Sequence, residues 1–249
     1  MFLTGCLCKH SKKHYTLGGF SVKATGMYRN QYRQHGNSIG RSGLKIRLLI
    51  GLALAAWAVF SYFGSTEYNE ITGEDQRVAM SPEQEIALGL QSAPQMAQQH
   101  GGLHPDASAQ QHIDDIGARL VRMSAARNTD WNWEFHLLRD SDMVNAFALP
   151  GGQIFMTAAL YSRLKTDDQV AGVLGHEIAH VIARHGAEHL AKQQLTSGLT
   201  GAATVAAGSQ GMGRMAQMIG QMVNMKYGRE DELESDYLGV RFMLSLIHI

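Results

Sequence analysis

Two histidines and a glutamate in the stretch VLGHEIAHVIARHG, residues 173–186, have the spacing of a metal-binding helix. On a helix each residue turns about 100°, so His176 and His180 lie one turn apart on the same face. Two imidazoles placed in this way can hold Zn²⁺, and Glu177 is close enough to take a proton from a water molecule. The neighbouring residues are apolar, a setting in which unpaired histidines are costly. We therefore expect His176 and His180 to be metal ligands and Glu177 to be a general base.

A third histidine follows the pair. His185 is nine positions beyond His176, about 180° away if the helix continues, and should not reach the same metal ion. We expect it to be a structural or surface residue. The third ligand must therefore come from another part of the chain.

The acidic stretch REDELESDYLG, residues 229–239, offers that ligand. Glu232 and Asp236 are four residues apart and share one face of a helix. Glu232 can therefore complete the site, while Asp236 accepts a hydrogen bond from a ligand histidine. A solvated acidic helix face is the ordinary alternative for such a stretch. The competing carboxylates are Glu230, Asp231 and Glu234.

The composition indicates one globular domain with an N-terminal appendage. The chain has 249 residues, 45% of them hydrophobic and 18% charged, which is enough apolar material for one core. Nine of the 22 basic residues precede residue 48, and the first acidic residue is Glu67. Thirteen basic and 22 acidic residues remain after that point, a net charge of about −9. An acidic domain of this kind excludes nucleic acid as the expected partner.

An uncharged run, LLIGLALAAWAVFSYF at residues 48–63, follows Lys45 and Arg47. With its neighbours it approaches the roughly 20 residues that span a bilayer. The positive flank favours a membrane segment over a buried core helix, and no cleavage site for a signal peptide follows. We expect an uncleaved anchor at residues 44–66, with the remainder of the chain across the membrane. That remainder contains no cysteine, since Cys6 and Cys8 are the only two.

Local patterns predict the elements that must position the metal ligands. Ser81, Pro82 and Gln84 mark a helix start, with the serine as N-cap and the glutamine completing a capping box. The glycine pair at residues 101–102 ends that helix. A second amphipathic helix is predicted over residues 107–126.

The hydrophobic period then changes from helical towards two. WNWEFHLLRD, residues 131–140, alternates as a strand does, and NAFALPGGQIFMT, residues 145–157, is two apolar runs around a turn. A long helix is predicted from residue 170 to about residue 194, with Thr166 and Asp167 as caps.

The stretch at residues 195–225 is rich in glycine, alanine and methionine. We expect a helical hairpin of small residues packed on the domain. A second membrane contact or a flexible lid is the alternative.

Three stretches in this order, NAFALPGGQIFMTAAL, VLGHEIAHVIARHG and REDELESD, resemble the HtpX-like and CAAX-prenyl-protease-like zinc endopeptidases, specifically their single-domain bacterial exported members. The resemblance covers about residues 80–243. It implies an α+β, zincin-like (gluzincin) fold with an HExxH helix, the pattern formed here by His176, Glu177 and His180, and with a small mixed or antiparallel sheet. At position 235 this sequence has a serine, where the family usually has an alanine. The several membrane spans of the prenyl proteases are also missing, which argues against that substrate class.

The resemblance also assigns residue roles. It implies one Zn²⁺ per chain, with His176, His180 and Glu232 as ligands and a polypeptide as substrate. Glu177 and Asp236 are the implied catalytic residues, the first as general base and the second holding a ligand histidine. The strand after the two glycines is the implied edge along which the substrate backbone pairs. The implied substrate-binding residues are Asn145, Ala146, Phe147, Gly151 and Gly152.

These expectations divide the chain into five parts. Residues 1–43 are expected to be disordered and basic, residues 44–66 to be the anchor, and residues 67–80 to be a polar linker. Residues 81–243 are expected to be the metallopeptidase domain. Residues 244–249, LSLIHI, match a translated sequencing-library end, so we expect them to be an artefact. The group that stabilises the oxyanion is then expected beyond this sequence.

The resulting hypothesis is a single-pass zinc endopeptidase of the bacterial inner membrane, with its catalytic domain in the periplasm. By resemblance, its substrates are misfolded or unassembled envelope proteins. The alternatives are a non-catalytic zinc-containing binding or chaperone-like module, or an inactive fragment of the peptidase. Only three ligands have sound spacing, and the open fourth position favours the enzyme.

Overall fold

A computed structural model describes residues 41–207 and 227–247. Within these residues, helices surround a three-stranded sheet, and a separate two-stranded hairpin follows the first helix, as expected of a mixed α and β fold. The helices are α1 (Arg41–Gly64), α2 (Pro82–Gln99), α3 (Ala107–Met123), α4 (Ala158–Tyr161), α5 (Asp167–Ile182), α6 (His185–Ala207) and α7 (Arg229–Ile247), with a 3-10 turn at Ala125–Asn128. The strands are β1 (Thr66–Asn69), β2 (Glu74–Arg77), β3 (Glu134–Leu138), β4 (Ala146–Leu149) and β5 (Gln153–Thr157).

Local capping sets the starts of α2 and α5. The Ser81 side chain accepts from the Gln84 N–H and the Gln84 side chain accepts from the Ser81 N–H, so the predicted capping box is present. Thr166 caps α5 by accepting from the Gln169 N–H. The helix predicted over residues 107–126 is also present, although its last residues form the 3-10 turn.

The strand β5 lies in the centre of the sheet, parallel to β3 and antiparallel to β4. The predicted hairpin is therefore present, but the expectation that the strand after the two glycines is an edge is wrong. Both sides of β5 are paired and all five of its residues are buried. The edge next to the turn is β4 instead. A hairpin pattern identifies only one neighbour of a strand, and the pairing of β5 with the more distant β3 leaves no local signal.

Helix α5 packs between the sheet and α7, and the packing with α7 is very close. Leu174 and Ile178 share one buried apolar cluster with Ile154 of β5 and Leu238 of α7. A Cβ atom added at Gly239 would lie 3.1 Å from the backbone nitrogen of His176. Because glycine stands there, α7 can approach the backbone of the HExxH helix closely.

The predicted long helix over residues 170–194 is broken between α5 and α6. Ala183 ends α5, and Arg184 has a φ of 52°, in the left-handed region. The Arg184 side chain is held by the Glu85 and Glu67 carboxylates and by the Met80 carbonyl. These partners lie about 100 residues away in sequence, so helical periodicity could not show the break.

The β1–β2 hairpin lies where a polar linker was expected, and it caps the end of α5. Asn69 Nδ2 donates to the Ile182 carbonyl at 2.7 Å, and Gln76 Nε2 donates to the Ala183 carbonyl. The last carbonyls of a helix have no partner inside the helix. The segment after the first helix therefore fixes the C-terminal end of the HExxH helix.

Helix α1 exposes its apolar side chains. Residues 43–64 form the one candidate membrane span among the described residues, by length and composition only. Leu52, Trp57 and Phe60 are largely exposed. An apolar helix that faces outwards does not fit the alternative of a buried core helix.

Several expectations concern residues outside the described ranges. Residues 41–43, expected to be disordered, begin α1, while residues 1–40 are not described. Residues 195–207 continue α6, and the rest of the predicted hairpin, residues 208–225, lies outside the described residues. Residues 244–247 continue α7, and their origin stays a prediction.

The cap on α5 can be tested with Asn69→Ala. Removing the amide leaves the buried Ile182 carbonyl without its donor, so the free energy of unfolding should fall by about 1–3 kcal/mol. Urea denaturation followed by tryptophan fluorescence measures the change. Asn128→Ala, at an exposed position, is the matched control. Equal stability of the two variants would contradict the capping role.

Candidate metal centre

The structure brings together the three predicted ligands. His176 and His180 project from α5 with their Nε2 atoms 3.0 Å apart. Glu232 of α7 faces them, with its Oε2 atom 3.5 Å from His176 Nε2 and its Oε1 atom 3.9 Å from His180 Nε2. One donor atom from each residue lies within 4.8 Å of the others, as expected of ligands to one metal ion.

The partners of the two imidazoles indicate where their protons are. His176 Nδ1 lies 2.9 Å from Asp236 Oδ1, and His180 Nδ1 lies 2.9 Å from His185 Nδ1. If each Nδ1 atom donates to its partner, both Nε2 atoms are unprotonated. Two lone pairs that face each other at 3.0 Å repel unless a positive charge lies between them. The donor set therefore fits a cation.

A chain of hydrogen bonds supports His180 from behind. His185 Nδ1 faces His180, and His185 Nε2 lies 3.1 Å from Glu234 Oε2. The Ser235 hydroxyl, 3.3 Å from His185 Nδ1, is a further partner, so the departure from alanine gives His185 another contact. His185 was predicted to be a structural or surface residue. It is 2% exposed and contacts His180, so the structural role fits and the surface role is wrong, because the helix break turns His185 under His180.

The electrostatics favour a neutral His180. Burial, and then the neighbouring His185 and His176, lower the pKa of His180 to about 3, so its imidazole is neutral at physiological pH. The neutral form is the one that ligates metals. Only 3% of the His180 side chain is exposed, against 24% for His176 and 47% for Glu232. The site therefore opens to solvent on the side of His176 and Glu232.

Glu177 is buried beside the ligands. Burial, and then the charge of Glu232, raise the pKa of the Glu177 carboxyl to about 8. A carboxyl group of this kind has a high affinity for protons. It is therefore suited to accept a proton and return it at neutral pH.

Two of the competing carboxylates are occupied elsewhere. Asp231 Oδ2 lies 2.9 Å from His189 Nε2 and also accepts from the Gly228 N–H. Glu234 pairs with His185. Glu230 is exposed and is not part of the ligand group.

Tyr227, just before α7, was not found from the sequence. Its ring stacks on the His180 imidazole, with centroids 4.1 Å apart and planes 19° from parallel. Burial, and then the charges of Glu177 and Glu232, raise the pKa of the Tyr227 hydroxyl, so the phenol stays protonated. The contacts of His185 with Glu234 and of His189 with Asp231 were also missed, although a signal was present. His185 and His189 are four residues apart and so share one face of a helix, as the acidic residues of α7 do.

The predicted substrate-binding residues lie in two different places, three at β4 and two in the turn before β5. Ala146 and Phe147 lie on β4 and Asn145 precedes it, but the Phe147 side chain is buried and stacks on Phe155. The Gly151 carbonyl accepts from the Asn132 N–H and the Gly152 carbonyl from the Glu134 N–H, so both glycines bond to the backbone before and at the start of β3. The residues of this region that line a small recess with His180 and Tyr227 are Ala148, Leu149 and Pro150.

The supporting role of His185 predicts a change in metal affinity. His185→Ala removes the acceptor behind His180 and should weaken zinc binding by about 10- to 100-fold. His185→Asn places an amide oxygen, also a hydrogen-bond acceptor, near the position of Nδ1 and should recover part of the affinity. Competition with a zinc indicator measures all three proteins. His104→Ala, which lies outside the ligand group, is the control, and an unchanged affinity in His185→Ala would contradict the role.

Comparison with known proteins finds relatives among metalloendopeptidases and proteases. The chain is 27% identical over 208 residues to the mitochondrial metalloendopeptidase OMA1 of Schizosaccharomyces pombe, covering 80% of this chain and 58% of that protein. It is 35% identical over 112 residues to OMA1 of Saccharomyces cerevisiae, covering 45% of this chain and 32% of that protein. It is 32% identical over 143 residues to the beta-barrel assembly-enhancing protease of Escherichia coli, covering 53% of this chain and 28% of that protein. The chain thus spans less than two thirds of the length of each relative.

A family model matches over a region that includes the metal centre. The description of the model is "Peptidase family M48", and it matches residues 107–246, more than half of the chain. The matched region contains α5 with the two histidines and nearly all of α7, including Glu232 and Asp236. It does not single out the HtpX-like members that the motifs resemble. The two histidines, the buried glutamate and the facing carboxylate therefore lie in a chain that belongs to peptidase family M48.

Proposed function

We propose that the chain is a zinc-dependent endopeptidase of the gluzincin type, with one zinc ion per chain held by His176, His180 and Glu232. The observation that carries the proposal is the convergence of these three residues beside the buried carboxyl of Glu177. Bound zinc supplies Lewis acidity toward a carbonyl oxygen and toward water. Three protein ligands leave room for the substrate or a water molecule.

The residues of the chain then have distinct tasks. Glu177 accepts the proton of the attacking water and passes it to the leaving amine. Asp236 and His185 hold the two ligand imidazoles by their Nδ1 atoms. The protonated hydroxyl of Tyr227, on a ring stacked against His180, is a hydrogen-bond donor within the site. This hydroxyl is a candidate for the oxyanion-stabilising group that the sequence resemblance placed beyond this sequence.

The edge strand β4 is the proposed binding site for the substrate backbone. Among the described residues, β4 pairs with β5 alone. The Thr157 N–H donates to the Asn145 carbonyl, so the alternating backbone groups of Ala146 and Ala148 face the unpaired edge. An extended polypeptide can add to such an edge through main-chain hydrogen bonds. Ala148 also lines the recess with His180, which brings that edge towards the metal centre.

The proposed location is the bacterial inner membrane, with the catalytic domain in the periplasm and α1 as the anchor. The exposed apolar surface of α1 and the basic residues before it support this arrangement. The proposed substrates are misfolded or unassembled envelope proteins. The name of the E. coli relative, a beta-barrel assembly-enhancing protease, supports a role in the cell envelope.

A non-catalytic zinc-containing binding or chaperone-like module is the competing function, and an inactive fragment of the peptidase is a further alternative. A structural zinc site has four protein ligands and no need for a neighbouring proton acceptor. Here the ligand group among the described residues has three members, and Glu177 is buried beside it. Both observations favour the enzyme.

The proposal predicts that Glu177→Gln keeps zinc but loses activity. The amide cannot accept the proton, so casein cleavage by the full chain in detergent should fall by about 10²- to 10⁴-fold. Zinc content should stay at one per chain in the variant. Glu70→Gln, an exposed glutamate, is the matched control and should cleave normally. Equal cleavage by both variants would rule out Glu177 as the base, and bound zinc without cleavage in the unmodified chain would favour the non-catalytic module.

A further inference from the structure

The second half of α6, residues 195–207, runs along α1 in the opposite direction. A Cβ atom added at Gly198 would lie 2.8 Å from Ala58 Cβ, and one at Gly51 would lie 2.9 Å from the Ala202 carbonyl oxygen. Later residues of α6 therefore meet earlier residues of α1. Close helix contact through small residues is the usual packing of helices inside membranes.

This packing sets the depth of α6 relative to α1. Gly51 lies 13 residues before Gly64, the last residue of α1, which is about 20 Å along a helix. Ala202 packs beside Gly51. If α1 crosses a bilayer, Ala202 must lie at a similar depth within it.

The residues of this segment suit a lipid environment. The sequence LTSGLTGAATVAA at residues 195–207 has no charged side chain, and Leu199 and Val205 are exposed. An exposed face on a water-facing helix ordinarily carries charged residues. Two of its threonine hydroxyls are satisfied within the helix, since Thr196 Oγ1 donates to the Lys192 carbonyl and Thr200 Oγ1 to the Thr196 carbonyl. Such internal bonds lower the cost of placing a hydroxyl in hydrocarbon.

We propose that residues 195–207 of α6 lie in the lipid bilayer beside α1, so that two antiparallel helices hold the domain. The proposal rests on the membrane anchoring by α1 that the proposed function includes. Lys192 is the last charged residue of α6 before the apolar segment and marks the membrane surface.

The position of α6 also sets the distance of the metal centre from the membrane. His185, the first residue of α6, contacts the ligand His180. Ten residues of helix, about 15 Å, separate His185 from Leu195. The metal centre therefore lies close to the membrane surface, where its substrates are polypeptide segments that emerge from or lie on the bilayer.

Cysteine accessibility tests the proposal in the full chain. Cys6→Ser and Cys8→Ser remove the only two cysteines, and single cysteines are then introduced by Leu199→Cys, Val205→Cys, Lys192→Cys or Leu52→Cys. All four positions are exposed in the folded protein, so the protein itself does not shield them. Each variant is reconstituted in phosphatidylethanolamine–phosphatidylglycerol vesicles with the domain outside. It is then treated with a membrane-impermeant maleimide, and labelling of the same sample in SDS gives the total.

The expected result is that positions 199, 205 and 52 react at least about tenfold more slowly in vesicles than position 192. Rapid labelling of positions 199 and 205 with protection of position 52 would overturn the proposal and leave the α1 anchor intact. Rapid labelling at position 52 as well would overturn the anchor itself. Neither result would change the zinc content or the activity expected for the metal centre.

Discussion

Two imidazole nitrogens, Nε2 of His176 and Nε2 of His180, face each other at 3.0 Å, and the other elements of the site are arranged around this pair. When each ring carries its proton on Nδ1, the two Nε2 lone pairs fit a positive charge between them, and each surrounding element contributes to this arrangement. Asp236 and His185 fix the protons on the far side of each ring, burial keeps His180 neutral, and Glu232 supplies the negative charge that balances a cation. The same burial raises the proton affinity of Glu177.

The HExxH helix must be held rigidly for this geometry to persist. One face of this helix packs on α7. Because residue 239 of α7 is a glycine, the backbones of the two helices can approach closely beside His176. The C-terminal end of the HExxH helix is fixed by the β1–β2 hairpin and by the turn at Arg184, which lies against Glu67 and Glu85. Because β1 follows α1 after one residue, the support of the metal centre is continuous with the proposed anchor. The position of α6 beside α1 gives a second connection between the proposed anchor and the centre.

The sequence was sufficient for features that depend on short-range patterns. Residues close together in sequence were enough to predict the capping box at Ser81 and the β4–β5 hairpin. The four-residue spacing of His176 and His180 likewise predicted that the two side chains share one helix face. The acidic helix could be proposed as the source of the third ligand because its spacing matched that of the histidines. The structure then places Glu232, and not its competitors, beside them.

Features that depend on distant partners could not be predicted in this way. The break at Arg184 is stabilised by side chains from α2 and β1, so a local helical pattern continued through it. The burial of His185 follows from that break, and the central position of β5 follows from its pairing with β3. The stacking of Tyr227 on His180 joins residues 47 positions apart, so no local pattern indicates it.

The proposed zinc site consists of two histidines of α5 and one glutamate of α7 around a single ion. X-ray absorption at the zinc edge of the zinc-loaded full chain, compared with Glu232→Gln, tests it most directly. We expect one zinc per chain with two imidazole ligands and oxygen donors at about 2.0–2.2 Å. In the variant we expect the loss of one oxygen donor or of the metal. Four protein ligands, or an unchanged spectrum and affinity in Glu232→Gln, would contradict it.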